Sequence, residues 1–296
     1  MGTYRPATVG EAWLMGVLYV VATPIGNLED ITPRALRTLR EASLIAAEDT
    51  RHTRNLLRHF AIDTPLVSYH AHSRRRRREA ILAALASGDV ALVSDAGTPG
   101  ISDPGNDLVA AAHAAGFRVS PIPGPSAAAA AVSASGLVPG PYIFAGFPPR
   151  KGRERMRFLT ELAASGMPVV LFEAANRAAA TLADLAATFG DRPALAAREL
   201  TKLHEEARRG SLRELADWAA TSSLRGELAI VVGAAAPEAS ADIDDATIVR
   251  MVAERRRQGM ALSAAARAVA AETGRTRSDV YEVARQFQIN ETDERG

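Results

Sequence analysis

The feature that most constrains this chain is a repeated alternation. Short apolar runs at residues 17–23, 43–48, 65–69, 89–94 and 117–122 alternate with amphipathic stretches at 32–41, 50–58, 73–86 and 104–115. Runs this short and this apolar read as buried strands, and the longer stretches carry helical spacing. Strands joined through helices lie parallel, because a parallel pair needs a long crossover. The expectation is an α/β protein with a mostly parallel sheet covered by helices on both faces.

An alanine-rich helix at 127–135 closes this pattern. Residues 137–153 are then dense in Pro and Gly, which reads as a domain boundary and a loop. A second unit follows, with strands near 167–173, 193–201, 205–209 and 227–233 and helices at 154–164, 177–189 and 212–222. Strands 205–209 and 227–233 can pair antiparallel, which makes the second sheet mixed. After a polar linker at 234–242 come helical stretches at 244–258, 262–273 and 276–286. Gly274 offers a turn and Thr276 an N-cap between the last two, the pattern of a helix-turn-helix. The expected organisation is a leader at 1–16, with Met15 as a candidate start, α/β lobes at 17–136 and 137–236, and a small helical domain at 243–288.

Composition narrows the function classes. A net charge of +1 makes any contact with nucleic acid depend on local basic clusters. The absence of cysteine excludes disulfides, thiolate metal sites and a cysteine nucleophile, and fits a reducing compartment such as the cytoplasm. No apolar run approaches the roughly 18 residues that span a bilayer, and the N-terminus lacks the pattern of a signal peptide, so no membrane role is expected.

Three Gly/Pro loops follow strands of the first lobe, where open α/β sheets place ligands. They are Thr23-Pro24-Ile25-Gly26-Asn27-Leu28, the stretch from Ser94 to Gly105 (Ser-Asp-Ala-Gly-Thr-Pro-Gly-Ile-Ser-Asp-Pro-Gly), and Ile122-Pro123-Gly124-Pro125-Ser126-Ala127. Glycine admits a ligand close to the backbone, proline stiffens the loop, and Ser126 is placed to cap the next helix. A single such loop is ordinarily just a turn; three in succession point to a binding crevice. None is a dinucleotide fingerprint, a Walker loop or a nucleophile elbow. His70-Ala71-His72 is too few ligands for a structural zinc site, and no metal is expected. Glu48-Asp49-Thr50-Arg51 follows an apolar run and suits a general base or a substrate clamp, or else a helix cap by Asp49 or Thr50 with surface charge. Arg74 to Arg78 form an arginine run whose side chains point around a helix. The cluster from Arg150 to Arg157, with Lys151, Arg153 and Arg155, lies in a glycine-containing loop between the lobes and is placed to reach a polyanion.

The string from Tyr19 to Ile31, with Ala47-Glu48-Asp49-Thr50-Arg51, the loop from Ser94 to Gly105, Ile122 to Ala127 and the stretch from Ala197 to Glu206, resembles the ribosomal RNA small subunit methyltransferase I family. The resemblance runs from about Val17 to Gly233, and the helical tail resembles the family's small helix-turn-helix domain. It implies a two-lobed tetrapyrrole-methylase fold, a homodimer, and 2′-O-methylation of a cytidine in the decoding centre of 16S rRNA, with S-adenosyl-L-methionine as methyl donor. By motif position it implies cofactor contacts from Pro24, Gly26, Asn27, Asp95, Ala96, Gly97, Thr98, Ile101, Ser126, Ala127, Phe172, Leu200 and Thr201. One departure stands out. The family commonly carries a Glu-Ser-Pro-His-Arg-like stretch where this chain reads Glu173-Ala174-Ala175-Asn176-Arg177.

The donor's methyl is already activated, so orientation is expected to supply much of the rate, on the order of 7–11 kcal/mol. Asp49, Glu48 and Glu173, in that order, are the candidate bases for the hydroxyl proton. Arg51, Lys151, Arg153 and Arg155 are the candidate RNA contacts, at a partner that is 16S rRNA alone or within the small subunit. Two alternatives stand beside this reading: a corrinoid-precursor or diphthamide-type methyltransferase of the same fold, and a non-catalytic nucleic-acid-binding regulator.

Overall fold

The computed structural model describes residues 16–69, 74–235 and 243–293, and the chain divides at Ala234 into two compact units. The first unit holds two five-stranded sheets.

The first sheet contains β1 (Val17–Val21), β2 (Leu44–Ala47), β3 (Leu66–Ser68), β4 (Val90–Val93) and β5 (Arg118–Ile122), all parallel, in the order β3-β2-β4-β1-β5. Its central strand shows why the apolar runs do not alternate. In β4 every residue is buried, Ala91 and Val93 toward one face and Val90 and Leu92 toward the other. Helices α1 (Pro33–Glu41) and α2 (Thr50–His59) cover the first face through Leu39 and Leu57. Helices α3 (Arg74–Leu85) and α4 (Asn106–Ala114) cover the second through Ile81, Leu85 and Leu108. The helix starts are chemically marked: Thr32 caps α1 ahead of Pro33, Asp49 caps α2, and Ser126 caps α5 (Ala127–Ser135). The arginine run opens α3, with Arg76 and Arg77 on its solvated side. The pair His70 and His72 lies outside the described residues.

The second sheet contains β6 (Ile143–Gly146), β7 (Val169–Ala174), β8 (Pro193–Arg198), β9 (Glu206–Ser211) and β10 (Glu227–Val232), in the order β6-β7-β10-β8-β9. Only β6–β7 is parallel. The sheet is mixed as expected, but β9 and β10 do not pair with each other; each pairs antiparallel with β8. The stretch read as a pure loop contains strand β6, bulged between Phe144 and Gly146. Helices α6 (Gly152–Ala164), α7 (Ala178–Phe189) and α8 (Leu212–Thr221) cover one face over Leu228, Ile230 and Val232. The other face, Ala229 and Val231, is covered by α5, which precedes the boundary expected at residue 136. Its small Ala128 and Ala131 let it lie close to a sheet that follows it in the chain.

The second unit has its own core. Helices α9 (Asp245–Arg257), α10 (Leu262–Thr273) and α11 (Arg277–Asp293) pack through Ile248, Val252, Val269 and Val280. Gly274, left-handed at φ 70°, ends α10, and Thr276 accepts a hydrogen bond from the Asp279 amide at 3.2 Å to open α11.

Candidate functional site

The three Gly/Pro loops leave the ends of β1, β4 and β5, which are neighbours in the sheet, and they are tied together. Thr23 and Gly97 exchange backbone hydrogen bonds of 2.9 and 3.0 Å, the Thr23 hydroxyl donates to Ser94 O at 3.2 Å, and the Thr98 hydroxyl donates to Pro125 O at 3.2 Å. Gly97 sits at φ +80°, a conformation that side chains resist. The loops therefore form one rigid rim.

The opposing wall comes from the second sheet. After β8 the chain passes through Glu199 at φ 49° and Thr201 at φ 66°, left-handed conformations that are costly for a β-branched residue and cluster at functional sites. This loop meets the first one closely. A Cβ on Gly26 would lie 2.4 Å from Lys202 Cγ and 3.0 Å from Leu200 O.

Between rim and wall lies a cavity of about 330 Å³. It gathers Glu48, Asp95, Ala96, Gly97, Thr98, Ile101, Ser126, Ala127, Phe172 and Leu200, all singled out in the sequence. The other singled-out residues lie elsewhere. Pro24 lines a neighbouring cavity, Gly26 packs on the 200–202 turn, and Asn27 caps a 3-10 turn by accepting from the Glu29 amide at 3.0 Å. Thr201 supplies the strained turn behind Leu200.

The cavity also contains residues that sequence reasoning missed: Ser102 and Asp103 from the second loop, Phe147 beyond β6, Glu199 and Lys202 after β8, and Glu227 at the start of β10. Ser102 and Asp103 carried a local signal, their place in the Gly/Pro loop, and Glu199 and Lys202 lie in the family-like stretch from Ala197 to Glu206. The cavity is therefore strongly acidic. Glu48, Asp95, Asp103, Glu199 and Glu227 face Lys202, the one Lys or Arg among its described lining residues. Lys202 Nζ lies 2.8 Å from Glu199 Oε1, and its hydrogen bond is the main cause that holds the Glu199 carboxyl below its usual range. Burial pushes Glu48 upward, and the charge of Asp95 adds to the push. Burial also pushes Asp103 up to about 6, helped by Glu48, Asp95 and Glu227, against a hydrogen bond from Ser94. The apolar walls are Ile25, Ile101, Leu200 and the edge-packed rings of Phe147 and Phe172, 5.5 Å apart.

Two candidate bases are corrected by their surroundings. Asp49 caps α2 outside the cavity, and hydrogen bonds from the Arg51 side chain and amide hold it down to about 2, too weak a base. Glu173 is 0% exposed and accepts from Arg177 Nε and the Thr181 hydroxyl, both at 2.7 Å, and from the Ala174 amide at 2.9 Å. It is a structural carboxylate with its oxygens occupied.

The basic candidates separate likewise. Arg150, Lys151 and Arg153 line a broad groove of about 720 Å³ on the second lobe with Asn176 and Arg177, and Lys151 and Arg153 are exposed. Arg155 also lines this groove, but its guanidinium is committed to neighbouring groups, which corrects it from an RNA contact to a structural residue. Its side chain is 7% exposed, and its guanidinium donates to Asp184 at 2.8 Å, Thr181 at 2.9 Å and Pro149 O at 3.0 Å. Arg51 is 85% exposed and forms a 2.8 Å ion pair with Asp49. Among the described residues no group of three or more metal-type ligands is found.

The sequence of the Tetrapyrrole (Corrin/Porphyrin) Methylases family matches residues 17–216. Ribosomal RNA small subunit methyltransferase I of Synechocystis sp. is 45% identical over 278 residues, covering 93% of this chain and 100% of that protein. The protein of the same name from Pseudomonas aeruginosa is 49% identical over 233 residues, 77% of this chain and 83% of that one. Among solved structures, a cobalt precorrin-4 methyltransferase has a TM-score of 0.57 at 18% identity, covering 74% of this chain and 95% of that one. A diphthine synthase has a TM-score of 0.57 at 16% identity, covering 74% and 90%. At such identities these two structures share the fold alone.

Proposed function

This chain belongs to the ribosomal RNA small subunit methyltransferase I family of tetrapyrrole methylases, and on that premise we propose that it transfers a methyl group from S-adenosyl-L-methionine to the 2′-oxygen of a cytidine in the decoding centre of 16S rRNA. The observation that carries the reading is the charge of the cleft. Five carboxylates against one lysine, beside aromatic and aliphatic walls, suit a ligand that is cationic at one end and flat at the other. When bound, S-adenosyl-L-methionine supplies a methyl group on a positively charged sulfur. The residues present fit it: Phe172, Ile101 and Leu200 offer surface to a flat ring, and Asp95 with its acidic neighbours favours positive charge.

The same field repels phosphates, so the RNA backbone is held outside the cavity. Lys151, Arg153 and Arg150 on the second lobe, with Arg51 on the first, are the residues for that. It also disfavours tetrapyrrole precursors, which carry several carboxylates of their own. Glu48 remains as the base. It lines the cavity, and its raised carboxyl lies nearer the working pH than that of Asp49. With the donor bound, Glu48 would take the proton of the ribose hydroxyl, and the donor would supply the methyl group that the oxygen receives. We place the reaction in the cytoplasm and read the active form as a homodimer, as the family resemblance implies; among the described residues no helix is long and apolar enough to cross a membrane.

Calorimetry and single-turnover kinetics test the assignment. Glu48→Gln is expected to bind the donor and to lose about 10²–10⁴-fold in methyl transfer. Full transfer by this variant removes Glu48 from the mechanism, and absence of donor binding by the wild-type protein removes the cleft.

A further inference from the structure

A second, smaller cavity of about 250 Å³ adjoins the acidic one, and Asp95 lines both. The acidic cavity accommodates the donor, which leaves the smaller one for another group. Pro24 and Leu28 of the first loop form part of it. Most of the rest comes from α2, through His52, Asn55, Leu56 and His59, an i, i+3, i+4, i+7 series that occupies one helix face. Thr53 lines it too. That residue is 2% exposed, and its hydroxyl is buried without a hydrogen-bond partner among the described residues. Such a group is rare in a finished fold and costs stability unless a ligand or an ordered water satisfies it.

The surface beside this cavity differs in charge from the acidic cleft. Helix α2 carries Arg51, Arg54 and Arg58 and contains no acidic residue between Thr50 and His59. Arg54 and Arg58 are exposed and have no ion pair among the described residues, and each precedes a cavity-lining residue, Asn55 or His59. A stripe of free cations thus runs along the edge of a small, partly apolar pocket with amide, hydroxyl and imidazole groups. A nucleotide within a strand has this shape: a flat base with donors and acceptors on its edge, flanked by phosphates.

Resting on the RNA-methylation reading above, we propose that this cavity receives the base of the target nucleoside, unstacked from its strand, while Arg54 and Arg58 hold the flanking phosphates. The Asn55 amide and the Thr53 hydroxyl each offer both a donor and an acceptor, which matches the mixed edge of cytosine. Because Asp95 belongs to both cavities, a base seated in the smaller one brings its ribose to the border of the acidic cleft, where Glu48 lies.

The test uses the full chain, unmethylated small ribosomal subunits, and a decoding-centre stem-loop carrying cytidine or uridine at the target position. Asn55→Ala, at an exposed position, and Thr53→Val are expected to raise the KM for RNA about tenfold and to collapse the preference for cytidine over uridine. Thr53→Ser, which keeps the hydroxyl, is expected to restore both, and donor affinity measured by calorimetry is expected to stay within about twofold. Removing Arg54 and Arg58 together is expected to lower the salt slope of RNA binding by about 1.4. The proposal is overturned if Asn55→Ala keeps the wild-type KM and cytidine preference, or if Thr53→Ser fails in both readouts as Thr53→Val does. If the wild-type protein binds donor and methylates no RNA, the broader reading has failed; if it methylates RNA and Asn55→Ala matches it, only the base pocket has failed.

Discussion

Replacing Arg155 by methionine separates a structural arginine from an RNA-binding one. Its guanidinium donates to Asp184, Thr181 and Pro149 O, and the Thr181 hydroxyl in turn donates a hydrogen bond to Glu173, which is fully buried. Breaking a buried charge pair by removing one partner typically costs 3–5 kcal/mol. Two features put this case at the low end. Glu173 keeps its Arg177 partner, and the Asp184 side chain, 37% exposed, can return to water. About 3 kcal/mol remains. In a unit of this size each kcal/mol moves the melting temperature by about 2–4 °C, so a fall of about 6–12 °C is expected by circular dichroism or calorimetry. RNA affinity at low temperature, and its dependence on salt, should match wild type. The double variant Lys151→Met/Arg153→Met should do the reverse. Both side chains are exposed, so melting should barely change while the salt slope falls by about 1.4–1.8. An Arg155→Met protein that melts like wild type and loses RNA affinity as the double variant does would refute the reasoning.

Three further outcomes follow from the cleft. Asp103 has a native pKa of about 6 against 3.8 unfolded, so its ionisation opposes folding fully above pH 6, and that cost disappears as pH falls toward 4. Asp103→Asn should therefore raise the melting temperature by a few degrees at pH 8 and not at pH 4, in paired thermal melts; an equal gain at both values contradicts the cause given. The same variant should weaken binding of the cationic donor at pH 8, measured by calorimetry. Gly26→Ala should lower donor affinity tenfold or more, because its Cβ meets the Leu200 carbonyl at 3.0 Å, while Gly140→Ala, with nothing within 4 Å, should leave it unchanged.

The first lobe was legible because its strands are buried on both faces, so Val90-Ala91-Leu92-Val93 reads as a strand without any partner in view. Strand β6 was not, because four residues set between Pro141 and Pro148 carry a stronger turn signal than strand signal, and pairing with β7 overrides it. The alanines of α5 have no strongly apolar side, so nothing local says which sheet they cover. In the site, the Gly/Pro loops announced one rim. The opposing acids Glu199 and Glu227 come together only when β8 and β10 pair, and no spacing along the chain brings them near Asp95. Arg155 did carry a signal that was passed over: with Leu159 and Leu162 it forms an i, i+4, i+7 stripe on the buried side of α6.

The acidic crevice between the two sheets is proposed to serve methyl transfer to a ribose oxygen of small-subunit RNA. The most direct measurement incubates the protein with unmethylated small subunits and methyl-labelled S-adenosyl-L-methionine, digests the RNA to nucleosides and resolves them by mass spectrometry. The label is expected in 2′-O-methylcytidine, and its rate of incorporation to fall about 10²-fold or more when Glu48 is replaced by glutamine. Label on a base, or none in RNA from a protein that binds the donor, would contradict it.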